Sequence, residues 1–347
     1  MNRGLGSDNH SGIHPRLLAS VERANAQHAP SYGTDEWSER AQKLFQAKFG
    51  ERGRTYFVFN GTAANALCLS SMIQSFESVL CSDVSHINMD ECGAPEFFSG
   101  GKLTALPSVD GKLRLEDLRN SLIRRGDQHY SQARAVSITQ PTELGTLYSR
   151  AEILEISAWA HREGLWVHMD GARFCNAITA LGVGFKEMTT DLGVDVLSFG
   201  GTKNGFLFGE AVVFLNPDLA RNFQFRRKQS GQLPSKSRFI ACQFEEYLGT
   251  DLWREISSHS LQMAELLEQR LRAIPGLQIT RPRQSNAVFA VIPKPLIKKL
   301  REKMFFYVWD ERTYECRLMT SWDSKPEEIR EFSDLLKSLM NDHAQMR

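Results

Sequence analysis

The alternation of two hydrophobic periodicities is the feature that most limits how this chain can fold. From about residue 35 onward, stretches with apolar residues at helical spacing alternate with short apolar runs of the kind found in buried strands. The helical stretches include 38–50, 63–76 and 149–164, and the strand-like runs include 55–61, 78–83, 133–140, 165–170 and 194–199. This alternation predicts an α/β fold with a mostly parallel central sheet, flanked by helices on both faces.

The length of the chain and a change of pattern near residue 245 predict more than one domain. The 347 residues exceed what one compact hydrophobic core usually holds. After residue 245, a long amphipathic pattern at 252–276 is followed by short apolar runs and by a final helical stretch at 326–343. We therefore expect an N-terminal arm at 1–30, a large domain at 31–245 and a smaller α+β domain at 246–347.

Composition and charge exclude several classes of protein. The formal net charge of +1 gives no general attraction for nucleic acid or for an anionic membrane. No apolar run approaches the ~18 residues of a transmembrane helix, and the N-terminal sequence lacks the apolar core of a signal peptide. The six cysteines show neither the CxxC spacing of a zinc site nor a disulfide framework. We therefore expect a cytoplasmic protein with no metal site.

A lysine in a glycine-rich turn is the first candidate for chemistry. The run DVLSFGGTKNG (195–205) reads as a buried strand that ends in glycines and then in Lys203. Another strand, LWVHMD, ends at Asp170, and strand ends are where parallel sheets usually place their functional residues. Taken singly, Asp170 would be a helix N-cap and Arg173 a solvated helix residue. Together, Lys203 and Asp170 fit pyridoxal phosphate, which needs a lysine for a Schiff base and a carboxylate at its ring nitrogen.

Two further segments fit the same cofactor. The turn FNGTAANAL (59–67) follows a predicted strand and begins a helix, so the backbone at Gly61 and the Thr62 hydroxyl could hold a phosphate. His86 follows the strand SVLCSD, and its imidazole could stack on the cofactor ring and still transfer protons. Each signal is weak alone, because many helices start with Gly-Thr and most histidines are structural. A phosphate-binding turn, an aspartate and a lysine, in this order along the chain, are a more specific signal for the cofactor than any one of them.

A set of short segments, spread over nearly the whole chain, occurs in the order seen in one enzyme family. The segments are SDN near the start, SYGTDE (31–36), NGTAANAL, SHINMDECGAPEFF, HMDGARFCNA, LSFGGTKNG, FRRKQ (225–229) and CRLMTSWD (316–323). In these segments the chain resembles the L-threonine aldolase family of pyridoxal-phosphate enzymes, and most closely its phenylserine aldolase-like branch. The resemblance implies the aspartate-aminotransferase-like fold of pyridoxal-phosphate-dependent transferases, with the cofactor in the large domain.

The resemblance also implies roles for individual residues at the cofactor. Lys203 would be the point of covalent attachment, and Asp170 would hold the pyridine nitrogen. Gly61 and Thr62 would bind the phosphate, and His86 would stack on the face of the ring. All five residues are therefore candidates for cofactor binding.

A substrate site and a shared active site follow from the same resemblance. Arg173, beside the cofactor, would bind the substrate α-carboxylate together with Ser7 and Arg317. Lys228, in FRRKQ, would reach the cofactor phosphate of a neighbouring subunit, although a solvated basic helix end is an alternative for this segment. We therefore expect a homo-oligomer, a dimer or a dimer of dimers, whose other partner is a small amino-acid substrate.

One stretch departs from the family pattern. Many threonine aldolases carry a histidine in a Thr-His-Asn-Gly-like turn that contacts the substrate β-hydroxyl, whereas the corresponding stretch here is TQPTELG (139–145). Glu143 is the nearest ionisable residue, and it could act as the base or only cap the turn, the structural role being slightly favoured. His86 is the better candidate base on the residues alone. The stretch is close to the phenylserine-type pattern, which favours an aryl substrate.

The expected reaction is retro-aldol cleavage, and two alternatives stay open. We expect an aldolase that cleaves L-β-hydroxy-α-amino acids, of the threonine or phenylserine type, to glycine and an aldehyde. A β-eliminating lyase on the same fold would instead release a keto acid and ammonia. A non-catalytic regulator is disfavoured, because cofactor binding alone does not need Lys203. A nucleotide-binding protein is weaker still, since neither GxGxxG nor GxxxxGK[ST] occurs.

Overall fold

A computed structural model describes residues 4–345 of the chain, and its strands form two sheets. The strands of the larger sheet are β1 (Arg54–Val58), β2 (Glu77–Ser82), β3 (Lys102–Leu106), β4 (Gln132–Thr139), β5 (Trp166–Gly171), β6 (Val196–Gly200) and β7 (Glu210–Phe214). Those of the smaller sheet are β8 (Gln278–Ile279), β9 (Ala287–Val291), β10 (Tyr307–Asp310) and β11 (Glu315–Met319). The spatial orders are β1-β7-β6-β5-β4-β2-β3 and β10-β11-β9-β8.

Most neighbouring strands of the larger sheet are parallel, which confirms the predicted α/β architecture. Strands β3, β2, β4, β5 and β6 run in the same direction, while β7 is antiparallel to both β6 and β1. Strand β1 therefore runs parallel to β6. Strands β3 and β7 were not predicted from the sequence; β3 is an edge strand that is mostly half-exposed or exposed and has no continuous apolar run. The smaller sheet is antiparallel throughout.

Helices cover the sheets. They are α1 (Pro15–Ala24), α2 (Glu36–Phe49), α3 (Gly61–Met72), α4 (His86–Met89), α5 (Ala94–Ser99), α6 (Leu115–Ser121), α7 (Arg150–Arg162), α8 (Phe174–Leu181), α9 (Phe223–Gln229), α10 (Arg238–Gly249), α11 (Leu252–Arg272), α12 (Lys294–Lys303) and α13 (Pro326–Gln345). Short 3-10 helices form at Asp8–His10, Lys186–Met188, Thr190–Leu192, Thr202–Asn204 and Pro217–Ala220. Helix α3 is buried over most of its length, because it packs between the larger sheet and α5.

The larger sheet has a hydrophobic core on each face. Consecutive strand residues enter opposite cores, as the two-residue period of a strand requires: Val196 and Val212 pack with α3, whereas Leu197 and Val213 face the other side. On that other side, α2, α8 and α10 contribute a cluster of aromatic rings, in which Phe45 and Phe199 lie edge to face at 5.5 Å. Both faces are thus closed to water, as expected for a largely parallel sheet.

The smaller sheet has its own core, formed with the second half of α11, with α12 and with α13. The first half of α11 instead packs into the core of the larger sheet through Trp253 and Ile256. The domain boundaries expected at residues 30 and 245 stay predictions. Among residues 4–345, no helix is long and apolar enough to cross a membrane, and no group of three or more His, Cys, Asp or Glu could hold a metal ion.

The direction of the strands decides where functional side chains meet. Strands β1, β2, β4, β5 and β6 all end at the same edge of the larger sheet. The segments that follow these strands therefore converge there, which is the usual place for a ligand site in an open parallel sheet.

Candidate active site

A cavity lies at the carboxyl edge of the larger sheet. It is lined by one predicted residue from each converging strand: Gly61 after β1, His86 after β2, Glu143 after β4, Asp170 on β5 and Lys203 after β6. The other lining residues are Ala64, Asn65, Glu91, Thr139, Pro141, Ala172, Arg173, Ser198 and Glu210. The structure therefore brings together most of the side chains that the sequence pointed to.

Asp170 is a buried carboxylate with a fixed orientation. It is 5% exposed, and its oxygens accept hydrogen bonds from the Ala172 N–H at 3.0 Å and from Asn65 Nδ2 at 2.8 Å. Burial alone would raise the pKa of Asp170, but the nearby charges of His86 and Lys203 and these hydrogen bonds lower it. Asp170 is therefore an ionised acceptor that can hold a protonated ring nitrogen.

A hydrogen-bond chain links Asp170 to His86. The Asn65 amide donates to Asp170 and also to Glu91 Oε1 at 2.8 Å, and Glu91 Oε1 lies 2.8 Å from His86 Nδ1. The bond to Glu91 raises the pKa of His86. Because a carboxylate only accepts hydrogen bonds, Glu91 places a hydrogen on Nδ1 and leaves Nε2 for other partners.

Sequence reasoning did not single out Asn65 or Glu91, although both lie in motifs that resemble the family. Asn65 is 3% exposed in a helix that is otherwise apolar on nearly every side. The sequence signal that could have identified Asn65 is a single amide side chain in an apolar helix, because buried polar groups usually have hydrogen-bond partners.

The turn that presents Lys203 depends on two glycines. A Cβ atom on Gly200 would lie 2.0 Å from the Ala172 carbonyl oxygen, and one on Gly201 would lie 2.3 Å from the Gly209 carbonyl oxygen. The glycines therefore let the end of β6 approach the segment that follows Asp170. Asn204 fixes the turn from the other side, since its Nδ2 donates to the Gly200 carbonyl at 2.9 Å.

Lys203 itself makes no hydrogen bond or ion pair with any residue in 4–345. Burial, and then the charge of Arg173, lower the pKa of its amine, which favours the neutral, nucleophilic form. Glu210, which the sequence analysis did not identify, accepts hydrogen bonds from the Gly201 N–H at 2.7 Å and the Thr202 N–H at 3.4 Å. Burial raises the pKa of Glu210 to about 7.

Glu143 has one satisfied oxygen and one free oxygen. Its Oε1 accepts hydrogen bonds from the His86 N–H at 2.7 Å and from Thr139 Oγ1 at 3.0 Å. Its Oε2 is buried and has no hydrogen-bond partner among the residues that the structure describes. Burial, and then the charge of Asp170, raise the pKa of Glu143 to about 7. A group with this pKa and a free oxygen can exchange a proton with a ligand near neutral pH.

Two guanidinium groups, those of Arg173 and Arg317, are close enough for their charges to interact. Arg173 forms an ion pair with Asp8, with Nε–Oδ2 and Nη2–Oδ1 distances of 2.5 and 2.8 Å. Arg317 lies over the Trp309 ring at 4.9 Å, and its Nε is buried without a hydrogen-bond partner in the described part of the chain. Burial, and then the charge of Arg173, lower the pKa of Arg317 to about 10. The pair can bind a carboxylate.

Four predicted residues lie outside the lining of the cavity. Ser7 accepts a hydrogen bond from the Asn9 N–H at 3.1 Å and caps the 3-10 helix that contains Asp8. Thr62 lies in the first turn of α3. The Lys228 ammonium lies 5.1 Å from the centre of the Tyr32 ring, and Arg317 is in β11 of the smaller sheet.

The residues present fit pyridoxal phosphate. At the start of α3, the Asn60 side chain accepts the hydrogen bond of the Ala63 N–H, while the Gly61 and Thr62 N–H groups have no partner within residues 4–345. Free N–H groups at a helix N-terminus bind phosphate. Asp170 supplies the acceptor for the ring nitrogen, and Lys203 supplies an amine without a competing partner. These are the three groups that the cofactor requires.

Substitutions of Asn65 test whether these residues bind pyridoxal phosphate. We expect Asn65→Ala to weaken pyridoxal phosphate binding by about 10- to 100-fold, because Asp170 loses a charge-assisted hydrogen bond. Asn65→Asp should weaken it further, since a third carboxylate would adjoin Asp170 and Glu91. Fluorescence titration of the apoenzyme measures the dissociation constants. Ser70→Ala is the control, because Ser70 is buried in the same helix and bonds only to the Leu67 carbonyl. Equal affinities for all variants would contradict the role of Asn65.

Comparisons with known proteins agree with this site. Residues 4–294 match the model of the Beta-eliminating lyase family. The chain is 43% identical to a low specificity L-threonine aldolase of a Pseudomonas species, over 96% of this chain and 97% of that protein. A threonine aldolase structure from Leishmania major matches with a TM-score of 0.92 and 30% identity, over 97% of this chain and 99% of that one.

A more distant structure has the same fold. An aromatic aminotransferase from Pyrococcus horikoshii matches with a TM-score of 0.71 at 14% identity, over 99% of this chain and 96% of that one. The predicted aminotransferase-like fold and the predicted cofactor, pyridoxal phosphate, are thus confirmed. The chain belongs to the threonine aldolase family of pyridoxal-phosphate-dependent carbon–carbon lyases.

Proposed function

We propose that this chain cleaves L-β-hydroxy-α-amino acids to glycine and an aldehyde. The observation that supports this most directly is the carboxylate of Glu143, which shares a cavity with Lys203 and Asp170 and has an oxygen without a partner. Breaking the Cα–Cβ bond of such a substrate requires a group that accepts the proton of the β-hydroxyl. A site that only bound an amino acid would not need one.

Lys203 and Asp170 hold the cofactor in this proposal. Lys203 would be its point of covalent attachment, and ionised Asp170 would keep its ring nitrogen protonated. The N–H groups of Gly61 and Thr62 would bind its phosphate, and His86 would stack on its ring. When bound, pyridoxal phosphate accepts the electron pair that the broken Cα–Cβ bond releases.

Arg173 and Arg317 bind the α-carboxylate of the substrate. Their charges are close enough to lower the pKa of Arg317, so a carboxylate between them relieves a repulsion that the protein itself creates. A fixed carboxylate restricts rotation of the substrate, and this orientation aligns the bond that breaks. Ser7 is adjacent in sequence to Asp8, the partner of Arg173, and contributes at most a further hydrogen bond.

We assign the proton acceptor to Glu143 ahead of His86. Glu143 Oε1 is held by two hydrogen bonds, so Oε2 has a defined position, and the pKa of about 7 suits proton exchange near neutral pH. His86 is engaged with Glu91 through Nδ1 and keeps only Nε2 for a second role. The proton of the β-hydroxyl therefore moves to Glu143 as the aldehyde leaves, and one proton is returned at Cα to give glycine, so that the reaction neither gains nor loses a proton overall.

We further propose that copies of the chain associate and share active sites, as a dimer or a dimer of dimers. Lys228 lies outside the cavity of its own chain, and the same helix exposes Phe225, which is 66% accessible. Phe97 is 82% accessible and Phe98 lies against it at 5.2 Å. Exposed aromatic groups of this size are typical of contact surfaces. A partner's Lys228 segment would then supply a cation for the cofactor phosphate.

We propose a cytoplasmic location because of the state of the cysteine thiols. The six cysteines are all free, and five of them are buried. Free buried cysteines are typical of proteins that fold in a reducing compartment.

Product analysis tests the reaction. With the cofactor-loaded protein, we expect L-threo-phenylserine to give glycine and benzaldehyde faster than L-threonine gives glycine and acetaldehyde. The aryl preference rests on the stretch 139–145, which is close to the phenylserine-type pattern. Amino-acid analysis and aldehyde trapping measure the products. Keto acid and ammonia would instead establish β-elimination, and no turnover of either substrate would overturn the proposal.

The variant Glu143→Gln distinguishes a role of Glu143 in proton transfer from a role in supporting the turn. The glutamine oxygen can still accept hydrogen bonds from the His86 N–H and Thr139 Oγ1, so the turn should persist. We expect kcat to fall by about 10²- to 10⁴-fold, the usual contribution of a general base. In the wild type, kcat/KM should decrease as the pH falls through about 7, because the raised pKa leaves Glu143 protonated there.

The pH profile of Glu143→Gln should lose this decrease while its affinity for pyridoxal phosphate is retained. His86→Gln is the comparison variant, since His86 is the competing candidate base. Wild-type kcat in Glu143→Gln, with a large loss in His86→Gln, would assign the proton acceptor to His86.

A further inference from the structure

The N-terminal segment (residues 4–14) connects the two sheets across the active site. The Leu5 N–H donates to the Phe305 carbonyl, and the Leu5 carbonyl accepts from the Met319 N–H, both at 2.8 Å. Further along, the His14 N–H donates to the carbonyl of Gly205, two residues after Lys203, at 2.7 Å. The segment is thus fixed to the smaller sheet at one end and to the turn of Lys203 at the other.

Asp8 lies between these two attachments and is 2% exposed. Its carboxylate bonds to Arg173, which follows β5 of the larger sheet, and accepts a hydrogen bond from Asn286 Nδ2 at 3.3 Å. Asn286 is itself fixed, because Nδ2 also donates to the Thr320 carbonyl at 2.7 Å. Asp8 therefore connects the larger sheet, the smaller sheet and the N-terminal segment at one point.

The hydrogen bonds of Arg173 leave one nitrogen free. A guanidinium has one hydrogen on Nε and two on each Nη. Asp8 takes the Nε hydrogen and one on Nη2, and the Met319 sulfur lies 3.2 Å from the same Nη2. Nη1 has no hydrogen-bond partner among residues 4–345. The ion pair thus fixes one edge of the guanidinium and leaves Nη1 available.

We propose that Asp8 is a positioning residue that orients Arg173 so that Nη1 binds the α-carboxylate of the substrate. This inference rests on the proposed function, in which Arg173 and Arg317 bind that carboxylate. Asp8 also offsets part of the repulsion between the two guanidinium groups, since it lies close enough to affect both. The alternative is that Asp8 competes with the substrate for Arg173. Asp8 occupies the Nε edge rather than Nη1, which favours positioning.

Glycine and methylamine are the probes, because they differ only by the carboxylate. The dissociation constants of both are measured on the holoenzyme from the change in cofactor absorbance. We expect Asp8→Ala to weaken glycine binding by about 10- to 100-fold, the range for a hydrogen bond to a charged group, and to leave methylamine binding unchanged. Asp8→Asn, which keeps the side-chain volume, should weaken glycine binding in the same selective way.

His14→Ala is the matched control. His14 packs edge to face on Trp322 at 4.9 Å, so the variant loosens the same segment without contact to Arg173. It should show no loss that is specific to the carboxylate. Tighter glycine binding in Asp8→Ala would show that Asp8 competes with the substrate. Equal losses for both probes, or no loss, would refute positioning, whereas a wild type that binds neither probe would refute the proposed function itself.

Discussion

Burying an ionised side chain costs several kcal/mol unless partners offset the lost hydration, and this constraint governs the active site. Asp8, Glu91 and Asp170 are 2%, 4% and 5% exposed; Asp8 accepts hydrogen bonds from Arg173, and both Glu91 and Asp170 accept one from Asn65. Lys203 is the exception, because no residue in 4–345 pairs with its amine. The proposed covalent bond to the cofactor would occupy this amine, which is consistent with the absence of a side-chain partner among the described residues.

The direction of the strands in the larger sheet determines which residues meet at the active site. Six strands, β1 to β6, end at one edge, so the residues proposed for phosphate binding, ring-nitrogen binding, covalent attachment and proton transfer meet there although they are far apart in sequence. The antiparallel strand β7 adds a different function, because Glu210 at its start supports the turn of Lys203. The N-terminal segment then closes the site through Asp8, where the larger and smaller sheets meet. The positions of the active-site side chains therefore depend on several elements of the fold.

Much of this could be predicted from the sequence, because the relevant signals are local. Hydrophobic periodicity predicts the strands, and strand ends predict that Asp170 and Lys203 meet. The pairing of Asp8 with Arg173 could not be predicted, since no local pattern links residues 165 positions apart. The raised pKa of Glu143 could not be predicted either, because it depends on the burial of this side chain and on the charge of Asp170. The edge strand β3 escaped detection because its residues are too exposed to give a strand pattern.

The covalent attachment of pyridoxal phosphate to Lys203 can be tested directly by one measurement. The holoenzyme is reduced with borohydride and digested, and the peptides are mapped by mass spectrometry. The account predicts that the adduct lies on the peptide containing Lys203 and that the peptide containing Lys228 is unmodified. An adduct on another lysine, with Lys203 unmodified, would contradict the account, and so would a cofactor-loaded protein that gives no adduct.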